Sequence, residues 1–223
     1  DTGITNNIAT VPIEYEDKLF CGLMPMTSGT CGNGCTWTFN HNTKDLDING
    51  EGDNASMKNY SSAIEVPWNK KAGEIDSIRI TGITNIGNNA FNGCTKITEI
   101  TIPESVTTIG TSSFEGCTEL KEIKSWGRVD TLESNAFKST GFTTISIPSQ
   151  ITTINSGAFE GSRLTTVHFE GTTNPTTCAS DAFTSTSVTH IEVLITYTTT
   201  TNFCGKPPRT KGACDESLKD ENV

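Results

Sequence analysis

Apolar residues recur along this chain in a fixed phrase. Ile97, Ile100 and Ile102 mark one copy, and Ile100 and Ile102 alternate with polar Glu99 and Thr101. That period of two predicts a strand with one wet face. Pro103 follows, with Pro148 in the same place of a later unit, and a proline there ends the strand and turns the chain. Val106 and Ile109 then pack inward from a return segment, Gly110 allows a tight bend, and Phe114 is the largest core filler. The strand phrase begins at Ile75, Ile97, Leu120, Phe142, Leu164 and Val188. The bend phrase reads IGNNAF at Ile86–Phe91 and IGTSSF at Ile109–Phe114, with looser copies LESNAF, INSGAF and ASDAF ending at Phe137, Phe159 and Phe183. These phenylalanines are 23, 23, 22 and 24 residues apart. One such unit cannot bury its own face, so units must stack. The expected fold is an α/β solenoid, a right-handed stack with one parallel β-sheet. Six units at the usual strand spacing give a length of roughly 25–30 Å.

The pattern divides the chain in three. Residues 1–74 precede the repeats, 75–193 hold five to six units of 22–24 residues, and 194–223 follow them. Ile4, Ile8, Val11 and Ile13 predict a short strand or arm. In CTWTFNHNTKDLDING, Trp37 and Phe39 alternate with polar residues, as do Leu46 and Ile48 after a turn at His41–Asp45. This predicts a β-hairpin. With Met57, Tyr60, Pro67 and Trp68 it supplies bulky apolar surface suited to cover the open end of a stack. The third unit departs from the phrase: KEIKSWGRV places Ser125 where Ile102 sits and Trp126 where Pro103 sits. The fifth is longer and carries Pro175 and Cys178. Leu194, Ile195, Tyr197 and Phe203 with nearby cysteines predict a closing cap, and the polar residues beyond Cys214 a flexible tail.

Composition narrows the compartment and the partners. Aromatic residues make up 7% of the chain, enough for the thin core of a solenoid. The net charge of −10 disfavours nucleic acid and anionic membrane. No apolar stretch reaches the 18 residues of a membrane span. The first residue is Asp1, which implies a processed or trimmed chain. Eight cysteines indicate an oxidising compartment. Cys21, Cys31 and Cys35 cluster before the repeats and Cys178, Cys204 and Cys214 after them, so no bond joins the groups. The Cys31–Cys35 and Cys204–Cys214 spacings can each close a small loop. Zinc at Cys21, Cys31 and Cys35 lacks a clear fourth ligand, His41 being the only nearby histidine. The position three after each phenylalanine holds Cys94, Cys117, Thr140, Ser162 and Thr186. A small buried group that hydrogen-bonds a turn fits all five, and a Cys94–Cys117 disulfide between units is the alternative.

No sequence motif of hydrolases, metalloproteases or nucleotide-binding enzymes occurs, so neither catalysis nor a cofactor is expected. His168 and His190 fall at outward strand positions with Glu170 and Glu192 nearby, and read as solvated residues rather than a metal site. Stacked strands instead present a continuous ladder of outward side chains. The candidate binding face is Arg79, Glu99, Thr101, Glu122, Lys124, Thr144, Ser146, His168, His190 and Glu192, with Trp126 at its margin as anchor or as edge packing. Asn54-Ala-Ser56 and Asn59-Tyr-Ser61 are glycosylation sequons, meaningful only in a eukaryotic secretory route.

The units IGNNAFNGCTKITEITIPESVTTIGTSSFEGCTEL closely resemble BspA-like, or Treponema pallidum-type, leucine-rich repeats. The lead-in CGNGCTWTFNHNTKDLDINGEGDNASMKNYSS resembles the segment preceding such repeats, so the likeness covers roughly residues 31–193. The third unit, the lengthened fifth and the cysteine-bearing C-terminal end depart from it. The resemblance implies a secreted or cell-surface protein. It implies adhesion to a protein or glycan ligand on host cells, matrix or other microbes. The alternative expectation is a structural spacer or coat component that binds little itself.

Overall fold

The computed structural model describes residues 27–210. The arm at Ile4–Ile13, Cys21, Cys214 and the tail lie outside them. The lead-in forms β1 (Thr27–Asn33), β2 (Cys35–Phe39) and β3 (Asp45–Gly50), antiparallel neighbours, with β4 (Ser56–Met57) on the far side of β1. Trp37 lies beside Ile48 and Phe39 beside Leu46, in the expected hairpin. β1 has no apolar alternation to announce it; its half-turn into β2 is closed by a Cys31–Cys35 disulfide. β3 then pairs in parallel with β5 (Ser77–Thr81), Ile48 beside Ile80, so the hairpin joins the first repeat strand directly.

Each repeat contributes two strands. The return segments give two-residue strands: β6 (Asn85–Ile86), β8 (Thr108–Ile109), β10 (Thr131–Leu132), β12 (Thr153–Ile154) and β14 (Thr177–Cys178). These form one unbroken parallel sheet. The longer strands are β7 (Glu99–Thr101), β9 (Glu122–Ser125), β11 (Thr144–Ile147), β13 (Thr166–Phe169) and β15 (Ile191–Val193), followed by β16 (Pro208–Thr210). They do not form the single sheet expected. β5 belongs with the hairpin, β7 pairs only with β9, and β11, β13, β15 and β16 form a separate sheet.

The α component of the expected fold is missing. No α-helix occurs among the described residues; short 3-10 turns at Ala63–Glu65 and Asn69–Glu74 precede the repeats. Between the two strand sets the chain runs through turns that bond to the next repeat, as in Phe91 N to Ser113 O (2.8 Å) and Phe114 N to Ala136 O (2.9 Å). Left-handed residues make this possible. They stand two after each phenylalanine, at Gly93, Gly116, Ser139, Gly161 and Ser185, and two before it at Asn89, Ser112, Asn135 and Gly157. Gly, Asn and Ser tolerate or locally support that backbone, whereas a helix cannot form through it. Gly110 is not the bend. A Cβ there would lie 2.7 Å from Ile86 O, so its role is close approach to the neighbouring repeat, and the bend falls at Ser112.

The core is a column of rings. Phe91, Phe114, Phe137, Phe159 and Phe183 are fully buried, with successive centroids 5.2, 5.2, 5.6 and 5.2 Å apart. Trp68 of the lead-in starts the column 5.9 Å from Phe91, its Nε1 donating to Ala90 O. Behind the rings, Thr140, Ser162 and Thr186 each donate to the carbonyl of their own phenylalanine at 2.7–2.8 Å. Cys94 and Cys117 are free and buried, and Cys117 Sγ donates to Phe91 O. Burial pushes the Cys94 thiol up to about 12 and Cys117 well above its ordinary value.

Of the pairings left open after the repeats, a Cys204–Cys214 loop does not form. Cys204 bonds Cys178 across 26 residues, tying the segment after the repeats to the return strand β14. Phe203 beside it is fully buried against Phe169, but Leu194 and Ile195 are 43% and 86% exposed and do not join the core.

Candidate functional site

The open strand face is interrupted at the third repeat. Opposite Glu99-Ile100-Thr101 of β7, the pairing runs Glu122, Ile123, Ser125, with Lys124 as the extra residue of a bulge. Ser125 therefore stands beside Thr101, not at the Ile102 position, and its carbonyl accepts from Ile102 N. The shift carries Trp126 into register with buried Ile102 and Gly127 with Pro103. Gly127 is left-handed (φ 53°), and a Cβ there would sit 2.2 Å from Pro103 O. An indole is too large for an isoleucine position. Trp126 is half-buried, edge-on to Phe137 with centroids 6.0 Å apart. Its Nε1 donates to Ser146 O of β11 (3.0 Å). The indole thus wedges between β9 and β11, and no backbone hydrogen bond crosses from one to the other among the described residues.

A cleft of ≈ 300 Å³ opens at this break. Its floor is half-buried Ile123 and buried Phe142 and Ile145; Trp126 and Pro148 wall it. Exposed Lys121, Glu122, Thr144, Ser146 and Glu170 form the rim. Lys124 is held by two carboxylates, Glu122 of the rim at 2.8 Å and Glu99 at 3.3 Å. Their hydrogen bonds, Glu122's first, raise its ammonium above the ordinary lysine value. Lys121 reaches Glu119 at 3.2 Å.

Of the residues expected on the binding face, Glu122, Trp126, Thr144 and Ser146 come together in the cleft, with Lys124 bound to its rim. The rest lie elsewhere on the strand face, except His190, which sits in the bend before β15 and not at the outward strand position expected. Arg79 pairs with Asp47 across β5 and β3 (3.0 Å), and Thr101 is exposed on β7. His168 stands beside Glu192 in the β13–β15 ladder. Its Nδ1 is 2.7 Å from the carboxylate but out of line for a hydrogen bond. His190 contacts its neighbour Thr189, and no cluster able to hold a metal ion occurs among the described residues. Asn54 and Asn59 are exposed, and Asn59 Oδ1 accepts from Asn88 N. Ile123, Phe142, Ile145 and Pro148 were not anticipated as site residues. Their only sequence signal is the broken phrase KEIKSWG beside an otherwise regular unit.

The profile of the BspA type leucine rich repeat region matches residues 73–205 in six copies. The chain belongs to the BspA-type leucine-rich-repeat family. No curated protein matches it. Among solved structures it is similar to a leucine-rich repeat protein from Eubacterium ventriosum, with 24% identity and a TM-score of 0.68. That match covers 78% of this chain and 45% of the other. A Bacteroides ovatus leucine-rich repeat protein matches at 22% identity over 72% of this chain and 46% of its own, with a TM-score of 0.48. The chain thus spans under half the length of these relatives. Within its BspA-type repeats the regular strand phrase Glu99-Ile100-Thr101-Ile102-Pro103 is rewritten once, as Glu122-Ile123-Lys124-Ser125-Trp126-Gly127, and the cleft lies at that rewriting.

Proposed function

We propose that this chain is a binding module of a secreted or cell-surface protein, adhering to a protein or glycan ligand on host cells, extracellular matrix or other microbes. The observation that carries the proposal is Trp126, a half-buried indole lining an apolar-floored cleft on an otherwise polar strand face. Tryptophans so placed are enriched among residues that dominate interface energies. Membership of the BspA-type family supports a surface binding role, and the two disulfides fit an oxidising compartment. Among the described residues no helix is long and apolar enough to cross a membrane. In this proposal residues 75–193 form a right-handed solenoid. The hairpin within 1–74 caps one end, and 194–223 closes the other.

A second role, as a spacer that binds little, is favoured by the self-pairing of the face: Arg79 with Asp47, and Lys124 with Glu99 and Glu122. Charges already paired offer less to a partner. Surface plasmon resonance against host matrix proteins and intact cells separates the two roles. A binding module gives saturable binding that Trp126→Ser lowers at least about tenfold. A spacer gives none with either protein.

A further inference from the structure

Building on that binding role, we infer that the Trp126 cleft takes an extended peptide carrying a basic residue next to an aliphatic one. Three features select this chemistry. The floor of Ile123, Phe142 and Ile145 is apolar, so it rewards an aliphatic side chain. The indole N–H is committed to Ser146 O, which leaves Trp126 only its ring to offer; a ring attracts a cation. The rim charges then fix the sign. Lys124 is bound by Glu99 and Glu122, and Lys121 by Glu119, so neither lysine brings an unpaired positive charge to the cleft. The Glu170 carboxylate on the rim has no hydrogen-bond or ion-pair partner among the described residues. A guanidinium or ammonium with its stem along the indole and its head at the rim pairs with the Glu170 carboxylate.

The break in the ladder adds a reason for a peptide. β11 is paired with β13 along one edge only, and across its other edge Ser146 O meets the indole rather than a strand. Backbone groups on that edge are open to the main chain of an extended ligand.

The test is nuclear magnetic resonance titration of the ¹⁵N-labelled chain, reading the indole N–H signals of Trp37, Trp68 and Trp126. The probes are acetylated six-residue peptides with an Arg-Leu, Glu-Leu or Arg-Ser centre, and a chitin trisaccharide. The Arg-Leu peptide should move the Trp126 signal saturably and leave Trp37 and Trp68 in place. The Glu-Leu and Arg-Ser peptides should bind at least about fivefold more weakly. Glu170→Gln should weaken the Arg-Leu peptide about tenfold and flatten its salt dependence. Unchanged Trp37 and Trp68 signals in that variant verify its fold. Equal shifts from all three peptides, no shift, or a shift with the trisaccharide alone overturn the inference. Binding to matrix proteins that survives such a result leaves the surface role intact. A response to the Arg-Leu peptide without any binding to cells or matrix removes the surface role and keeps the peptide site.

Discussion

At the scale of single residues, the phenylalanine of each unit does two jobs. It fills the centre of its own coil and stacks on the ring above and below. Phe114 has Phe91 and Phe137 at 5.2 Å on either side, whereas Phe183 stacks on Phe159 alone. Truncating a buried phenylalanine costs about 3–5 kcal/mol, and an aromatic pair adds about 0.5–1.5 kcal/mol beyond its area. Phe114→Ala should therefore lose more stability than Phe183→Ala, by about one aromatic pair. Urea unfolding of both variants measures the difference; equal losses would mean the rings act only as filler. These positions were legible because a ring that must be buried cannot leave its period. The left-handed residues around it were not, because Asn89, Ser112 and Asn135 have side chains common in any loop. Gly110 misled for a related reason: glycine serves either a bend or a close approach, and composition does not say which.

Elements follow from the same phrase until one residue is added. Lys124 looks like an ordinary outward strand residue, yet it shifts Trp126 to an inward position and parts β9 from β11. A bulge of this kind depends on which residue is left unpaired, and alternation alone does not fix that. Hence the outward ladder was foreseen and its interruption was not. Removing Lys124 together with Trp126→Ile would restore a regular phrase, Glu-Ile-Ser-Ile-Gly, matching Glu99–Pro103 except for serine in place of Thr101 and glycine in place of Pro103. The two strands should then pair. Each recovered backbone hydrogen bond contributes about 0.5–1.5 kcal/mol. The expected outcome is slower amide exchange at Thr144 and Ser146, a rise in unfolding midpoint and loss of the cleft. If exchange at these amides stays fast, the break has another cause than the wedge. Absent helices have the same local origin, since left-handed residues flanking each phenylalanine leave no run long enough for helical bonding.

Over the whole molecule, each coil touches mainly its neighbours, so damage at one end travels only as far as the next interface. The two disulfides both act near the ends of the repeat stack. Cysteine counts placed them in an end group each, but could not choose among three cysteines at the far end. The fold made the choice by bringing β14 alongside the segment that carries Phe203. Cys178–Cys204 spans 26 residues and Cys31–Cys35 spans 4. Loop entropy makes their losses about 3.5 and about 2 kcal/mol. Cys178→Ser with Cys204→Ser should thus loosen the far end first. Hydrogen exchange should accelerate at Ile191–Val193 and at Arg209 and Thr210 while the amides of Glu99–Thr101 and Thr108–Ile109 keep their protection. The aromatic column and the unbroken return sheet hold that middle region without either disulfide. Acceleration spread evenly from β5 to β16 would mean a single cooperative block, and a cleft in mid-stack would then feel events at both ends. Confinement to the end means the Trp126 cleft keeps its shape while the segment after the repeats opens.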